Sequence, residues 1–539
     1  MWGTDAADSR HCPTAATRSA HQPCEFTAVS AWHLDCSDGR QTTAREGIRH
    51  RAWNRPQERL RIGAVERGIG SHGVELLTLD STTGRGIPMK RLKTTRRQFI
   101  KTAALSTAAL AAPPFIHRSH AAGKLTVALW DHWVPASNDV QKKLMMDWAA
   151  KNKVDLTVDF VTSQGNSNTL MAVAESRAKQ GHDVFMLPQQ YPSILRDSLE
   201  PLDDIAAEMQ NAYGKYSLVA EYACKIKGVW RAVPAPTGSH SYPMVSRLDF
   251  FQKHCGVDLK KVFPTDVKLR DKKLVDAWNY DNFLVYAEKL HKAGVPFGNP
   301  IGQTSDTNSW LGPLFKSFGS ELVDANGKIT VNSDGTRMAL EYMKKLTQFM
   351  PPEIYSWDDA GNNLHIISGR GACIQNPPSA WAAAKKTQAA NAAQMWHHDT
   401  PRGPNGRYRG SLMYNLGVWN FAKNKSAAKD LVRHINQKEQ VFQILTASDG
   451  YDMPQIASFL THDAWVKAGP PSGGQYNYPI RGDEIPWMGG MPAPSGVGGQ
   501  IYAQSTFGNL TARYTAGKMS MNEAIKWAEN ELDGFLRDA

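Results

Sequence analysis

The order of periodicities over residues 125–187 constrains this chain more than any other feature. LTVALW (125–130) reads as a strand. Val140, Leu144 and Trp148 then fall on one helical face, with Ser137 or Asn138 placed to cap the helix. VDLTVDF (154–160) alternates apolar and polar residues as a second strand does. A helix over about 170–178 and a short apolar strand at 183–187 complete the run. Strand–helix–strand–helix–strand in this order predicts an α/β fold with a parallel sheet and right-handed crossovers. The same style continues downstream. Helices are expected over 280–293, 336–350, 425–437 and 522–536, and strands over 371–375 and 412–421. Pro/Gly-rich loops cluster at 401–410, 469–474 and 486–499.

Ahead of this run lies a leader. TRRQFIK (95–101), a mildly apolar stretch over 102–112, Pro113-Pro114 and a small-x-small site at 119–121 follow in the order of a twin-arginine export signal. Residues 89–121 are therefore expected to be a signal peptide, with Met89 as the natural start. Residues 1–88 show no sustained helical or strand periodicity and are expected to be a disordered, non-native extension. The alternative for 89–101 is a short basic amphipathic helix. Cleavage after Ala121 leaves 418 residues, too many for one core, which points to two domains and to a periplasmic destination.

Charge follows the same division. Of the 62 Lys and Arg, 18 lie within residues 1–120, as do 10 of the 51 Asp and Glu. The remainder carries 44 basic and 41 acidic residues, a net of only +3, which gives no argument for a nucleic-acid partner. Cys224, Cys255 and Cys373 remain after the leader, an odd number that allows one bridge at most.

The chain beyond residue 124 resembles the sugar-binding, maltose-binding-like family of extracellular solute-binding proteins that serve ABC importers. The likeness rests on order and spacing rather than on one diagnostic motif. KGVWRAVP (227–234) followed by YPMVSRLDFF (242–251) is similar to that family's first passage between lobes and the strand-helix unit after it. SGRGACIQN (368–376) resembles its helix–Gly–strand step, and residues 411–427 its later strand–AKNKS–helix step. The family's Asn-Gly-Pro-Trp-type turn appears here as QNPPSAW (375–381). The resemblance implies two α/β lobes of the type II periplasmic binding protein fold. Each lobe would be a mostly parallel sheet flanked by helices, hinged by two or three crossing segments. The expected lobes are 122–236 with about 397–448, and 238–396 with about 450–539. The expected crossings are 235–239, 396–400 and 446–452. The resemblance also implies a monomer whose partners are a small solute and the permease subunits.

Ligands of open parallel sheets meet the loops at the carboxyl ends of strands. Trp130, Asp131, His132 and Trp133 follow the first strand, and Gln189, Gln190 and Tyr191 the third. These types supply an apolar plate and planar hydrogen-bonding groups, as a sugar requires. Ser239 and His240 sit at the first passage. Trp310, Trp357, Asp358, Asn376, Trp381 and Trp419 lie in or beside loops and complete the candidates. For each Trp the alternative is core packing; Trp130 can simply finish its strand. His397-His398-Asp399 is a poor chelate, because neighbours on a strand point to opposite faces.

The first expectation is a periplasmic receptor that delivers a carbohydrate or polyol to an ABC permease. An amine receptor of the same fold, with Asp131 or Asp358 in an aromatic cage, is the second. An exported enzyme is the third, against which stands the lack of any catalytic, nucleotide or dinucleotide motif. No cofactor is expected.

Overall fold

The computed structural model describes residues 123–467, 478–480 and 482–538. The extension, the export signal and the 469–474 loop lie outside these residues. Among the described residues, thirteen strands are distributed over one five-stranded sheet and three smaller ones.

The first sheet is built from β1 (Gly123–Trp130), β2 (Val154–Val161) and β3 (Val184–Pro188), joined by helices Pro135–Asn152 and Ser167–Ala178. β1 pairs in parallel with both β2 and β3, as the alternation demands. The first helix does not use Ser137 or Asn138 as its cap. Pro135 stands at its first position, where the missing N–H costs nothing. Asn138 instead accepts from the His132 N–H. A hairpin of β4 (Lys225–Ile226) and β5 (Val229–Trp230) precedes β6 (Val233–Pro234).

β7 (His240–Tyr242) and β8 (Met244–Arg247) follow, then β9 (Cys373–Gln375), β10 (Met395–His398), β11 (Tyr408–Leu412), β12 (Tyr414–Val418) and β13 (Ile485–Trp487). β12 and β6 complete the first sheet in the order β2-β1-β3-β12-β6, with β12 antiparallel to both its neighbours. The second region differs from the expected mostly parallel sheet. β8 is flanked by β10 and β9, antiparallel to both. Its strands span only three or four residues, and helices supply most of its buried surface.

Apolar side chains form two buried clusters. One surrounds the first sheet and takes in helices Lys425–Ile435 and Lys438–Ala447. The other surrounds the buried helix Ser305–Ser317 and takes in Asp334–Leu346 and the closing helix Met521–Asp538. The chain passes between them along an antiparallel ribbon. β6 and β7 run one way with residues 235–239 between them, while β11 and β12 return through Met413. The second expected passage, 396–400, is not one, because β10 pairs along its length with β8. Residues 446–452 stay beside the first passage: Asp452 accepts the Gly238 N–H at 2.7 Å and Met453 N–H donates to Ser239 O. Gly238 has φ +79°, and a Cβ there would lie 2.6 Å from the Tyr414 ring, so only glycine lets the ribbon bend so close.

Cys224, Cys255 and Cys373 are free thiols. Among the described residues no helix is long and apolar enough to cross a membrane.

Candidate functional site

The ends of β1, β7, β9 and β12 converge between the two cores, as strand-end geometry requires. The cavity they enclose is small, about 30 Å³, and its walls come from both sides. Trp130 ends β1 and stacks on Tyr414, the first residue of β12, with centroids 5.1 Å apart and planes 17° from parallel. His240 meets the Trp130 ring edge-on at 5.4 Å. Trp133, 36 % exposed, Tyr242 and Tyr451 add further aromatic surface.

The opposite wall belongs to the second core. Thr304 caps helix Ser305–Ser317 by accepting the Thr307 N–H, which places Asp306 in the first turn and against the cavity. Asp306 is buried and accepts from Tyr242 Oη at 2.7 Å and Asn362 Nδ2 at 2.9 Å. Asp359 is half-buried and accepts from Ser305 Oγ at 2.8 Å and the Asp306 N–H at 3.2 Å. Burial pushes Asp306 well above the ordinary carboxylate value, and the charge of Asp359 adds to the rise. Burial also raises Asp359. β9 delivers Asn376 beside Asn363 and Ser379; its amide donates to Ser379 Oγ at 2.9 Å.

A polar cluster supports the site from behind. Val134 N–H donates to His132 Nδ1 at 2.8 Å, so the ring proton lies on Nε2, aimed at Asp452 3.1 Å away. Burial drives His240 down to about 3, so it is neutral at physiological pH. Two buried nitrogens on the cavity walls make no hydrogen bond among the described residues: Trp130 Nε1, which can only donate, and His240 Nε2, which lies 3.9 Å from Asp452 Oδ1. No Lys or Arg is among the described residues that line the cavity.

A second cavity of about 200 Å³ meets the first at Ser305. Asn166 and Tyr191 wall it on one side, Thr304, Asn308 and Tyr502 on the other. Tyr191 and Tyr502 meet edge to face across it at 6.2 Å, and burial pushes the Tyr191 hydroxyl up to about 12. Larger hollows lie elsewhere, about 310 Å³ beside Trp278 and Tyr286 and about 680 Å³ beside Gly123 and His182. Neither gathers strand-end side chains from both cores.

Of the residues singled out in the sequence, Trp130, Trp133, His240 and Asn376 are brought to the cavity. Tyr191 lines the neighbouring one. His132 and Ser239 are buried behind it. Gln189 and Gln190 reach across between the cores instead, to Ser309 Oγ at 3.5 Å and Gly489 O at 2.5 Å. The remaining six candidates also line neither cavity. Asp131 is exposed and accepts from Asn138. Asp358 is exposed and bonds its own turn. Trp310 is core, its indole N–H donating to Pro300 O. Trp357 packs on His365 and against Gly298 and Gly361. Trp381 is buried beneath Lys385. Trp419 is buried on Phe421 and Phe185, its N–H held by Glu175. Sequence reasoning missed Tyr242, Asp306, Asp359, Asn363, Tyr414 and Tyr451. For Asp306 a signal existed: Thr304 and Asp306 form a helix start.

Residues 143–470 match the family described as bacterial extracellular solute-binding protein. A "Probable ABC transporter-binding protein" of Deinococcus radiodurans is 29 % identical over 242 residues, 43 % of this chain and 54 % of the relative. The chain thus spans about half the length of the curated relative it matches. Among solved structures, maltose-bound MalE3 of T. maritima is similar with a TM-score of 0.60 at 18 % identity, covering 76 % of this chain and 99 % of that one. A sugar transporter from Arthrobacter chlorophenolicus A6 with bound laminaribiose gives 0.61 at 15 % identity, covering 77 % and 99 %. A solute-binding protein from Thermotoga lettingae bound with alpha-D-tagatose gives 0.59 at 14 % identity, with the same coverage. The architecture is that of the type II periplasmic binding proteins.

Proposed function

This chain belongs to the bacterial extracellular solute-binding protein family, and on that premise we propose that it captures a small polyhydroxylated solute, a carbohydrate or polyol, for an ABC importer. One observation carries the ligand class. The cavity between the cores combines stacked aromatic rings with amides, hydroxyls, the carboxylates of Asp306 and Asp359, and a buried indole N–H, Trp130 Nε1, that has no hydrogen-bond partner among the described residues. Sugar C–H faces stack on such rings, and sugar hydroxyls both donate and accept, so a polyhydroxylated solute can meet the aromatic, amide, hydroxyl and indole groups together. The sugars named with the similar solved structures and the transporter named with the Deinococcus relative support the same reading.

The lobes then correspond to the two cores, with the β6–β7 and β11–β12 ribbon as the hinge. The cavity of about 30 Å³ is far below the roughly 300 Å³ of even small ligand sites, so entry requires the lobes to part. The adjoining 200 Å³ cavity gives a solute longer than one ring somewhere to extend. The order of residues 95–121, which reads as a twin-arginine signal, supports export to the periplasm in folded form. It acts there as a monomer and hands its solute to the permease subunits.

A thermal-shift screen of the mature protein against mono- and disaccharides, polyols and amines tests the reading. A ligand at 100 times its dissociation constant stabilises by about 2.7 kcal/mol, well within detection. At least one sugar or polyol should raise the melting temperature, and Asn376→Ala should weaken its binding. A panel in which no hydroxylated compound shifts melting refutes the proposal.

A further inference from the structure

The acidic character of the cavity narrows the ligand further. Asp306 and Asp359 reach it from adjacent turns, linked because the Asp306 N–H donates to the Asp359 carboxylate. Their remaining partners, Tyr242, Asn362, Ser305 and Thr304, are neutral donors. A carboxylate oxygen offers two acceptor sites, so each group keeps capacity toward the cavity. Tyr242, Tyr414 and Tyr451 place aromatic side chains on the same walls. Two carboxylates this close repel when both ionise, and burial in an aromatic pocket sharpens the repulsion. A neutral hydroxyl does not relieve it; a proton on one carboxyl does so by removing that charge, whereas a bound cation lets both stay ionised. The wall on the other side makes a different demand. The Trp130 indole N–H can only donate and has no acceptor among the described residues, so it needs a ligand oxygen.

We infer that the solute carries a protonated amine beside its hydroxyls, as an amino sugar or an aminocyclitol does, with the ammonium held by Asp306 and Asp359 and a hydroxyl oxygen at Trp130. The inference rests on the cleft being the solute site. It goes beyond that reading by giving the solute a charge. An ammonium has three N–H donors and no acceptor, which suits a pair of carboxylates ringed by tyrosines.

The test is a set of matched pairs measured by isothermal titration: glucosamine with glucose, galactosamine with galactose, glucamine with sorbitol and 2-deoxystreptamine with inositol. In each pair an amine replaces or joins hydroxyls on a similar frame. The wild-type protein should bind at least one amine 10-fold or more tightly than its neutral partner. In Asp359→Asn, an isosteric change that keeps an acceptor for Ser305, that preference should fall to 2-fold or less. Neutral compounds bound as tightly as amines would overturn the inference while leaving the proposed function standing. A preference that persists in Asp359→Asn would overturn the placement of the ammonium. Failure of every compound, charged and neutral, would overturn the inference together with the proposed function. If Asp359→Asn does not fold, the wild-type ratio alone decides.

Discussion

Two tryptophans that look alike in the sequence should respond in opposite ways to the same substitution. Trp133 follows β1, lines the cavity and keeps 36 % of its surface exposed. A sugar ring laid on it would cover roughly 40–80 Å² of indole, worth about 1–2 kcal/mol at ~25 cal/mol per Å². Face-on geometry adds roughly 0.5–1.5 kcal/mol. Trp133→Ala should therefore cost about 1.5–3.5 kcal/mol of binding, roughly 10- to 400-fold in Kd. The free protein should lose less than about 1 kcal/mol of stability, because the ring is not enclosed. Trp419 is fully buried, stacked on Phe421 at 5.4 Å and 15°, with its N–H donating to Glu175 Oε2 at 3.1 Å. Trp419→Ala leaves a large cavity and should cost about 3–5 kcal/mol of stability. The protein that remains folded should bind as wild type does. Titration calorimetry with the tightest ligand of the sugar panel, paired with chemical unfolding of each variant, reads both quantities. Trp133→Ala that binds normally, or that is as destabilised as Trp419→Ala, would refute the assignment of that loop to the cleft.

Asp452→Ala should destabilise by about 2–5 kcal/mol in urea unfolding, since it strands two buried donors, His132 Nε2–H and the Gly238 N–H at the passage between the cores. Asp452→Asn, which can still accept from one of them, should cost less. His182 titrates against the usual pattern of a half-buried ring: burial alone would lower it, but the hydrogen bond and charge of Glu175, then those of Asp159, raise it overall. A raised folded value means that its stabilising contribution is complete below the unfolded value near 6.5 and disappears as pH rises through the folded one. His182→Gln should therefore be more destabilising at pH 6 than at pH 9, and equal losses at the two pH values would contradict this.

The first sheet was legible through its half-exposed edge strand and the helices beside it, since β3 and β12 are buried throughout. β2 alternates buried and exposed residues along most of its length, so period 2 survives in the sequence, and the helices beside it each show one face to water. The helix Ser305–Ser317 was illegible for the opposite reason. Nearly all of it is buried, so it has no polar face, and Gly312 and Pro313 inside it read as a loop. Asp306 was hidden with it, and Trp310 was mistaken for a loop residue. Asp359 was missed by one position. Asp358 and Asp359 are the same residue type side by side, and only the turn after Tyr355 decides which of them faces the cavity. Tyr242 and Tyr414 were invisible as site residues because the ribbon that brings them together pairs segments far apart in the chain. Trp419 shows the converse error. It follows a strand end, but β12 runs antiparallel to β3, so its carboxyl end lies away from the cleft and its amino end, at Tyr414, supplies the site.

The most direct measurement is a crystal structure of the mature protein with the tightest ligand of the panel. The solute should lie between the two cores, with a ring or chain stacked on Trp133 or Tyr414, an oxygen within hydrogen-bond distance of Trp130 Nε1 or His240 Nε2, and Asn376 in contact. A ligand seated in the groove beside Trp278, in the hollow beside Gly123, or anywhere that leaves Trp130 and His240 untouched would contradict the site described.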